Sequence, residues 1–520
     1  MNHDSVVVIG AGFGGLSTAC YLADRGFDVD VVERNEQVGG RASRLEAEGF
    51  RFDMGPSWYL MPDVFDRFFS HFDREVEEFY DLERLDPHYR VFFKDGDRVD
   101  VPADLEGAKE LFESYEDGAG EALERYLDEA QYTYEVGMER FVYEDRSRFR
   151  DFVDPSLARY ANGLSLVGSM QDHVEDYFDH PKLQQIMQYT LVFLGGSPTN
   201  TPALYNLMSH VDFNLGVYYP QPVADDSPSG GIGTVVDAVH SLATDLGVDF
   251  HTDEPVTAIK GRRGGFKLET ERGHYLPDLV VSNADYAHTE RELLPPEKRA
   301  FDDDYWDDRT YAPSAFLVYM GVEGDVDPLA HHTLVLPTDW QQHFDAIFED
   351  TKWPENPAYY LCVPSETDDG VAPEGHSNLF ALVPVAAGLD DDPETRERYR
   401  DLVIDDIAEH TDVDLRDRIV HETVFTVSEF ADRYNAERGT ALGIAHTLDQ
   451  TAAFRPSHRA RGVDGLYYVG SYTTPGIGVP MCVISGEVTA DMVCEDEDVP
   501  VESRSKAVPS PESIVPSLLR

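Results

Sequence analysis

Residues 5–42 read SVVVIGAGFGGLSTACYLADRGFDVDVVERNEQVGGRA, and this stretch decides the fold. The apolar run Val6-Val7-Val8-Ile9 has the pattern of a buried parallel strand. It feeds Gly10-Ala11-Gly12-Phe13-Gly14-Gly15, a G-x-G-x-x-G turn, and the spacing predicts a helix from Leu16 to Arg25. A second strand, Val29 to Val32, ends at Glu33. Strand, glycine turn, helix, strand and terminal acid together are the context of a dinucleotide site. Gly10 permits the tight turn, Gly12 lets the main chain approach a pyrophosphate, and Gly15 lets the helix pack on the strand. Gly14 belongs to the same candidate site. The helix N-terminus offers unpaired N–H groups to phosphate, and Glu33 is placed to accept from a ribose diol.

The next residues separate flavin from nicotinamide. Glu33, Arg34, Gly39, Gly40 and Arg41 form E-R-x-x-x-x-G-G-R. Adjacent glycines let the main chain pass close to a cofactor, and Arg41 can neutralise phosphate. The string resembles the second half of the FAD fingerprint in the amine oxidase, protoporphyrinogen oxidase and carotenoid desaturase superfamily.

Composition bounds the setting. At 520 residues the chain has room for two domains. Its formal charge is −57, and only eight of its 42 basic residues are lysine. The acids are spread along the chain, which points to life in concentrated salt, where a Debye length of about 3 Å at 1 M screens them from one another. Such a surface excludes nucleic acid as a partner. The four cysteines (Cys20, Cys362, Cys482, Cys494) make no C-x-x-C pair and no zinc spacing, so a reduced setting and no metal site are expected. The first strand begins almost at once, so no signal peptide is expected. No apolar run reaches eighteen residues, so no spanning helix is expected either.

Further along, Asp53-Met54-Gly55-Pro56-Ser57 is a turn leading into an aromatic helix with Val64, Phe65, Phe68, Phe69 and Phe72. Residues 75–228 mix amphipathic helical stretches with loops, and 143–154 are charged and aromatic, a candidate mobile segment. Residues 191–194 and 204–217 are apolar candidates for lining a cavity. From 228 a different unit returns: a helix from Thr234 to Leu246, a hairpin-like stretch after Pro255 and a buried strand from Leu279. A strand near Val256 would meet an adenine through its backbone. Nothing repeats G-x-G-x-x-G, so a second nucleotide domain is not expected. Strand-like runs at 315–320, 333–336, 359–363 and 379–385 predict an antiparallel sheet in a second domain, covered by charged helices between 393 and 453.

Near the end, Leu466-Tyr467-Tyr468-Val469 reads as a strand into Gly470-Ser471, followed by the loop TTPGIG and a helix from Val479 through Met481. Such a loop could aim backbone N–H groups at the flavin ribityl chain and pyrimidine edge. The predicted fold is α/β, with an α+β second domain: a Rossmann-like FAD-binding domain discontinuous in sequence (1–75, 229–295 and 456–495), a mixed helix and antiparallel-sheet substrate domain (76–228 and 296–455), and a loose tail (496–520).

Taken together, GAGFGGL…ER…GGR, DMGPS and GLYYVGSYTTPGIGVP…SG resemble the bacterial-type phytoene desaturases and their carotenoid-oxidising relatives, over essentially the whole chain to about residue 495. The departures are Ser471 and Tyr472 where many members have small residues, a larger Ile477, and Thr474 where histidine is frequent. They leave the substrate open. The resemblance implies non-covalent FAD, desaturation of a long hydrophobic polyene and peripheral contact with the inner face of the cell membrane; the lack of a second dinucleotide motif favours oxygen or a quinone over NAD(P) as electron acceptor. It makes phytoene the first expected substrate, with a later 3,4-desaturase or isomerase as the alternative. A flavin amine oxidase or a prenyl-binding escort protein is further off. No His-Asp pair or metal cluster stands out, and no catalytic base is named.

Overall fold

A computed structural model describes residues 4–144, 168–223, 230–447 and 449–501. The Val-rich run forms the strand Ser5–Ile9 in the middle of a five-stranded sheet. The order is Leu466–Tyr468, Leu279–Ser282, Ser5–Ile9, Asp28–Val32, Asp249–His251, all parallel, with Val8 opposite both Val281 and Val31. Such strands are apolar throughout because both sheet faces are covered. Val6, Val8, Val29 and Val31 pack against the helices Phe13–Asp24, Ile232–Asp245 and Val479–Asp496. Val7, Ile9, Val32 and Val280 point the other way. They meet Phe266 and, from a three-stranded antiparallel sheet of Val256–Lys260, Lys267–Thr270 and His274–Tyr275, Ile259 and Leu268.

The first helix begins at Phe13 rather than Leu16, with Gly14 and Gly15 inside its first turn. Its tight packing depends on small residues: a Cβ on Gly486 of the last helix would lie 2.1 Å from the Ser17 hydroxyl.

The second sheet has seven strands: Ile419–Phe425, Ser314–Glu323, His376–Val385, Tyr359–Cys362, His332–Leu336, Tyr89–Phe93 and Arg98–Val101. Two features depart from expectation. Two strands come from the stretch read as helices and loops, where Tyr89-Arg90-Val91 already alternates. The pairing of His332–Leu336 with Tyr89–Phe93 is parallel, whereas the other pairings are antiparallel. The helix Pro393–Thr411 covers one face through Tyr399, Val403 and Ile407. The opposite face carries Leu317, Leu334 and Tyr360 towards the interior. From residue 145 the stretch 143–154 lies outside the described residues, as does the tail from 502. No helix among the described residues is long and apolar enough to cross a membrane.

Candidate functional site

One cavity of about 1410 Å³ runs between the two sheets, larger than the ~300–1,000 Å³ usual for a single small ligand. Its wall includes Gly10, Gly12, Glu33, Arg34 and Val256 on the side of the parallel sheet, and Leu317, Leu334, Trp340 and Phe344 on the side of the second sheet.

The glycine end is stitched by its own main chain. Gly10, at φ +95°, donates its N–H to the Val32 carbonyl at 2.8 Å. Gly39 N–H donates to Ala11 O at 2.7 Å, so the two glycine motifs lie side by side. A Cβ on Gly40 would come within 3.2 Å of Gly12 Cα. Gly12 caps the helix without a side-chain hydrogen bond, and among the described residues no side-chain oxygen takes the first-turn N–H groups. Glu33 is buried, and its Oε2 accepts from Ala11 N–H at 2.8 Å. Its Oε1 accepts from the main-chain and side-chain nitrogens of Asn35 at 2.8 and 2.9 Å. Arg41 reaches the wall with Nε and Nη2 making no hydrogen bond among the described residues, and its nearest carboxylate, Asp285, is 3.9 Å away. Burial pushes the Asp285 carboxyl upward, with Arg41 and the Tyr472 hydroxyl at 2.7 Å acting in the opposite sense.

At the far rim of this end, the strand Leu466–Tyr468 runs into the loop 470–478. The loop is braced from behind by two buried side chains. Arg455 donates to the carbonyls of Thr473 (3.2 Å), Gln450 (3.3 Å), Ile444 (3.3 Å) and Ser471. Burial pushes the guanidinium down to about 10, and no carboxylate lies within ion-pairing distance among the described residues. His446 Nε2 accepts from Ile477 N–H at 3.1 Å, and its Nδ1 meets the Tyr205 hydroxyl at 2.5 Å. Gly476, at φ +130°, leaves no space for a side chain because a Cβ would sit 2.3 Å from the His446 ring.

Of the residues singled out in the sequence, Gly10, Gly12, Gly14, Glu33, Arg34, Gly40, Arg41, Gly55, Pro56, Ser57, Val256, Ser471, Val479 and Met481 all line this cavity. Gly15 and Gly470 do not. Gly15 sits against the Gly10 carbonyl, where a Cβ would be 2.1 Å from the oxygen, and Gly470 lies against the Asn283 amide, 2.7 Å from such a Cβ. Both are packing positions one layer behind the wall. Of the expected apolar lining, Val192, Leu204, Leu207 and Met208 reach the cavity, whereas Leu191 is core. Trp58, Leu60 and Met61 line it, and Val64, Phe65, Phe68 and Phe69 stand behind in the core. Asn283 was missed: its side chain is the post on which Gly12, Gly14, Gly15 and Gly470 all close. Asn35, Asp285, His446 and Arg455 were missed as well.

The site fits a dinucleotide cofactor: a cradle that Cβ atoms would fill, an uncapped helix start, and an arginine with spare donors. Over residues 13–494 the chain matches the family model for flavin containing amine oxidoreductase. It is 64% identical over 498 residues to a carotenoid 3,4-desaturase of Haloarcula japonica, covering 95% of this chain and 99% of that one. A zeta-carotene-forming phytoene desaturase of Myxococcus xanthus is 31% identical over 500 residues, 94% of this chain and 93% of its own length. Among solved structures, an oxidoreductase from Methanosarcina mazei superposes with a TM-score of 0.60 at 17% identity, covering 94% of this chain and all of that one. Wild-type putrescine oxidase bound to putrescine does so at 0.60 and 16%, covering 95% and 99%. At those identities the structural likeness speaks to the fold alone. With the site geometry and the sequence likeness pointing the same way, this chain belongs to the carotenoid desaturase family within the flavin containing amine oxidoreductases, and its cofactor is FAD.

Proposed function

We propose that the protein is a late carotenoid desaturase that introduces a 3,4 double bond into an already long polyene. The observation that carries this is the 64% identity to the Haloarcula japonica carotenoid 3,4-desaturase, against 31% to the phytoene desaturase of Myxococcus xanthus. Phytoene, the first substrate expected from sequence, becomes the second reading. The large cavity, with Leu317, Leu334, Leu336 and Phe344 in its wall, supports an apolar substrate held mainly by shape.

Bound FAD supplies a hydride acceptor. The protein's part is binding and exclusion of water. Gly12, Gly14 and the Phe13–Asp24 helix start would face the pyrophosphate, Arg41 would neutralise it, and Glu33 would take the ribose hydroxyls. The main chain at Val256 would border the adenine. The loop 471–478, held by Arg455 and His446, would present N–H groups to the pyrimidine edge, where negative charge develops on reduction. Trp58 and Met481 would wall the polyene from water. Re-oxidation by oxygen or a quinone fits a chain with one dinucleotide motif. A peripheral approach to the membrane in high salt fits its screened acidic surface.

The test offers the FAD-loaded protein, in molar KCl, liposomes carrying either phytoene or a conjugated carotenoid saturated at C3–C4. The expected result is a red-shifted product two hydrogens lighter from the second, with phytoene unchanged. Conversion of phytoene alone would install the second reading.

A further inference from the structure

Behind the cavity wall, three chemically matched side chains converge that no dinucleotide role absorbs. His332 begins the strand His332–Leu336, and Cys362 ends the strand Tyr359–Cys362. The two are direct cross-strand partners, so their side chains share one face of the sheet. His331 precedes them, its ring centroid 4.6 Å from that of His332. One nitrogen of each ring and the Cys362 sulfur all lie within 4.8 Å of one another, and all three residues are buried.

Each imidazole is oriented in the same way. His331 Nδ1 is 2.7 Å from the Thr367 hydroxyl, and His332 Nδ1 is 2.6 Å from the Tyr360 hydroxyl. In both, Nε2 has no hydrogen-bond partner among the described residues. The tautomer with its proton on Nδ1 satisfies that donor against the hydroxyl oxygen and leaves a lone pair on Nε2. An outer oxygen holding Nδ1–H while Nε2 is free is how a metal-binding histidine is held. Without a ligand, each of these buried nitrogens is an unmet acceptor, which is costly in a protein interior.

We propose that His331, His332 and Cys362 form a buried N2S site for a thiolate-preferring ion of the zinc class. Bonds of about 2.0–2.3 Å to these ligands require the three atoms to draw together by roughly 1 Å, and leave one tetrahedral position free. The site would be structural. The His332 ring stacks on Trp58, centroids 4.1 Å apart and planes 8° from parallel, and Trp58 lines the cavity. An ion here ties two neighbouring strands together directly behind that ring. Because metal and FAD are counted separately, failure of this site is distinguishable from failure of the flavin assignment.

The experiment measures metals and FAD together in the full-length protein, produced in medium replete in zinc, copper, iron, cobalt, nickel and manganese and washed with chelator in molar KCl. The expected result is a stoichiometric ion, falling to less than about a tenth in Cys362→Ser and in His331→Asn with FAD content retained. Cobalt-grown protein should show sulfur-to-cobalt charge-transfer absorption that Cys362→Ser removes. Should the variants fail to fold, the cobalt spectrum of the unaltered protein decides alone. A folded, FAD-loaded protein that carries no ion and gives no cobalt band overturns the proposal, as does an ion unaffected by both substitutions.

Discussion

The Glu33 carboxylate accepts the main-chain N–H of Ala11 at 2.8 Å, so the acid at the end of one strand fastens the glycine turn at the end of its neighbour. Its other oxygen is held by Asn35, so the side chain is set before any ligand arrives. Glu33→Ala removes the ribose acceptor and strands the Ala11 amide, at about 1–3 kcal/mol for an unmade buried bond. FAD affinity measured by fluorescence titration should fall by about tenfold or more. Equal affinity in the variant would show that Glu33 serves the turn and not the cofactor.

Glycine positions in this chain divide by what a methyl group would meet. At Gly15 a Cβ would be 2.1 Å from the Gly10 carbonyl oxygen, a main-chain atom that cannot step aside. At Gly273 nothing lies within 4 Å. Gly15→Ala should therefore lose bound FAD and lower Tm markedly, while Gly273→Ala should leave both unchanged within roughly 0.5 kcal/mol. Absorbance at the flavin band together with a melting curve reads both effects.

Among the described residues Arg455 donates its hydrogen bonds to carbonyls of the cavity loop and the segments that frame it, with a geometry only a branched guanidinium can span. Lysine keeps the charge but cannot meet four carbonyls drawn from the loop itself, Gln450 and Ile444. Arg455→Lys should loosen the loop, seen as faster proteolysis near residues 471–478 and faster FAD dissociation. A variant with both rates unchanged would mean that the loop holds itself.

Much of the cofactor end was legible because it is local: Gly10 to Arg41 is one short stretch, and each residue type there has a single mechanical purpose. The first helix was read three residues late because Gly14 and Gly15 suggest loop, whereas their lack of side chains is what lets the helix close on the strand. Asn283 gave no signal, since it matters only once its strand lies beside Ser5–Ile9. The same holds for His332 and Cys362, thirty positions apart and joined by register alone. The strands Tyr89–Phe93 and Arg98–Val101 pair with each other as a local hairpin but join the sheet only through His332–Leu336, far later in the chain, and short alternating runs look alike in either context.

Buried neutral histidines set the acid limit. Burial lowers His88, His331 and His343 to about 3 and His210 and His288 to about 4. The unfolded chain takes up these protons below about pH 6.5 and the folded one does not, so stability present above pH 6.5 is lost as pH falls, at about 1.4 kcal/mol per pH unit for each group. Asp66 and Asp212, pushed up to about 7 by burial, work with the opposite sign, losing stability as pH rises from about 4 towards 7. Burial also lowers His173, His240, His332 and His446 and raises Asp53, Asp63, Asp285, Glu290, Glu366 and Glu497, so nine histidines stand against eight carboxyls and the histidine sign leads between pH 6.5 and 4. The denaturation midpoint in constant molar salt should drop from pH 7.5 to pH 5, and a midpoint that rises instead would mean the carboxyls dominate.

The same midpoint should depend steeply on salt at fixed pH. With 99 acidic and 42 basic side chains, pairing every base would still leave 57 carboxylates without a cation. Exposed pairs such as Arg416 with Asp405 weaken as salt rises, but each contributes only about 0–1 kcal/mol. Relief of repulsion among the unpaired acids works over the whole surface and wins once the Debye length falls from about 10 Å at 0.1 M to 3 Å at 1 M. Between those concentrations of KCl, Tm should rise by roughly 10 °C, a gain of a few kcal/mol. If screening is the cause, NaCl at equal ionic strength must give the same curve. A KCl-specific gain would instead mean bound potassium, and a flat response would mean the acids are already far enough apart to ignore one another.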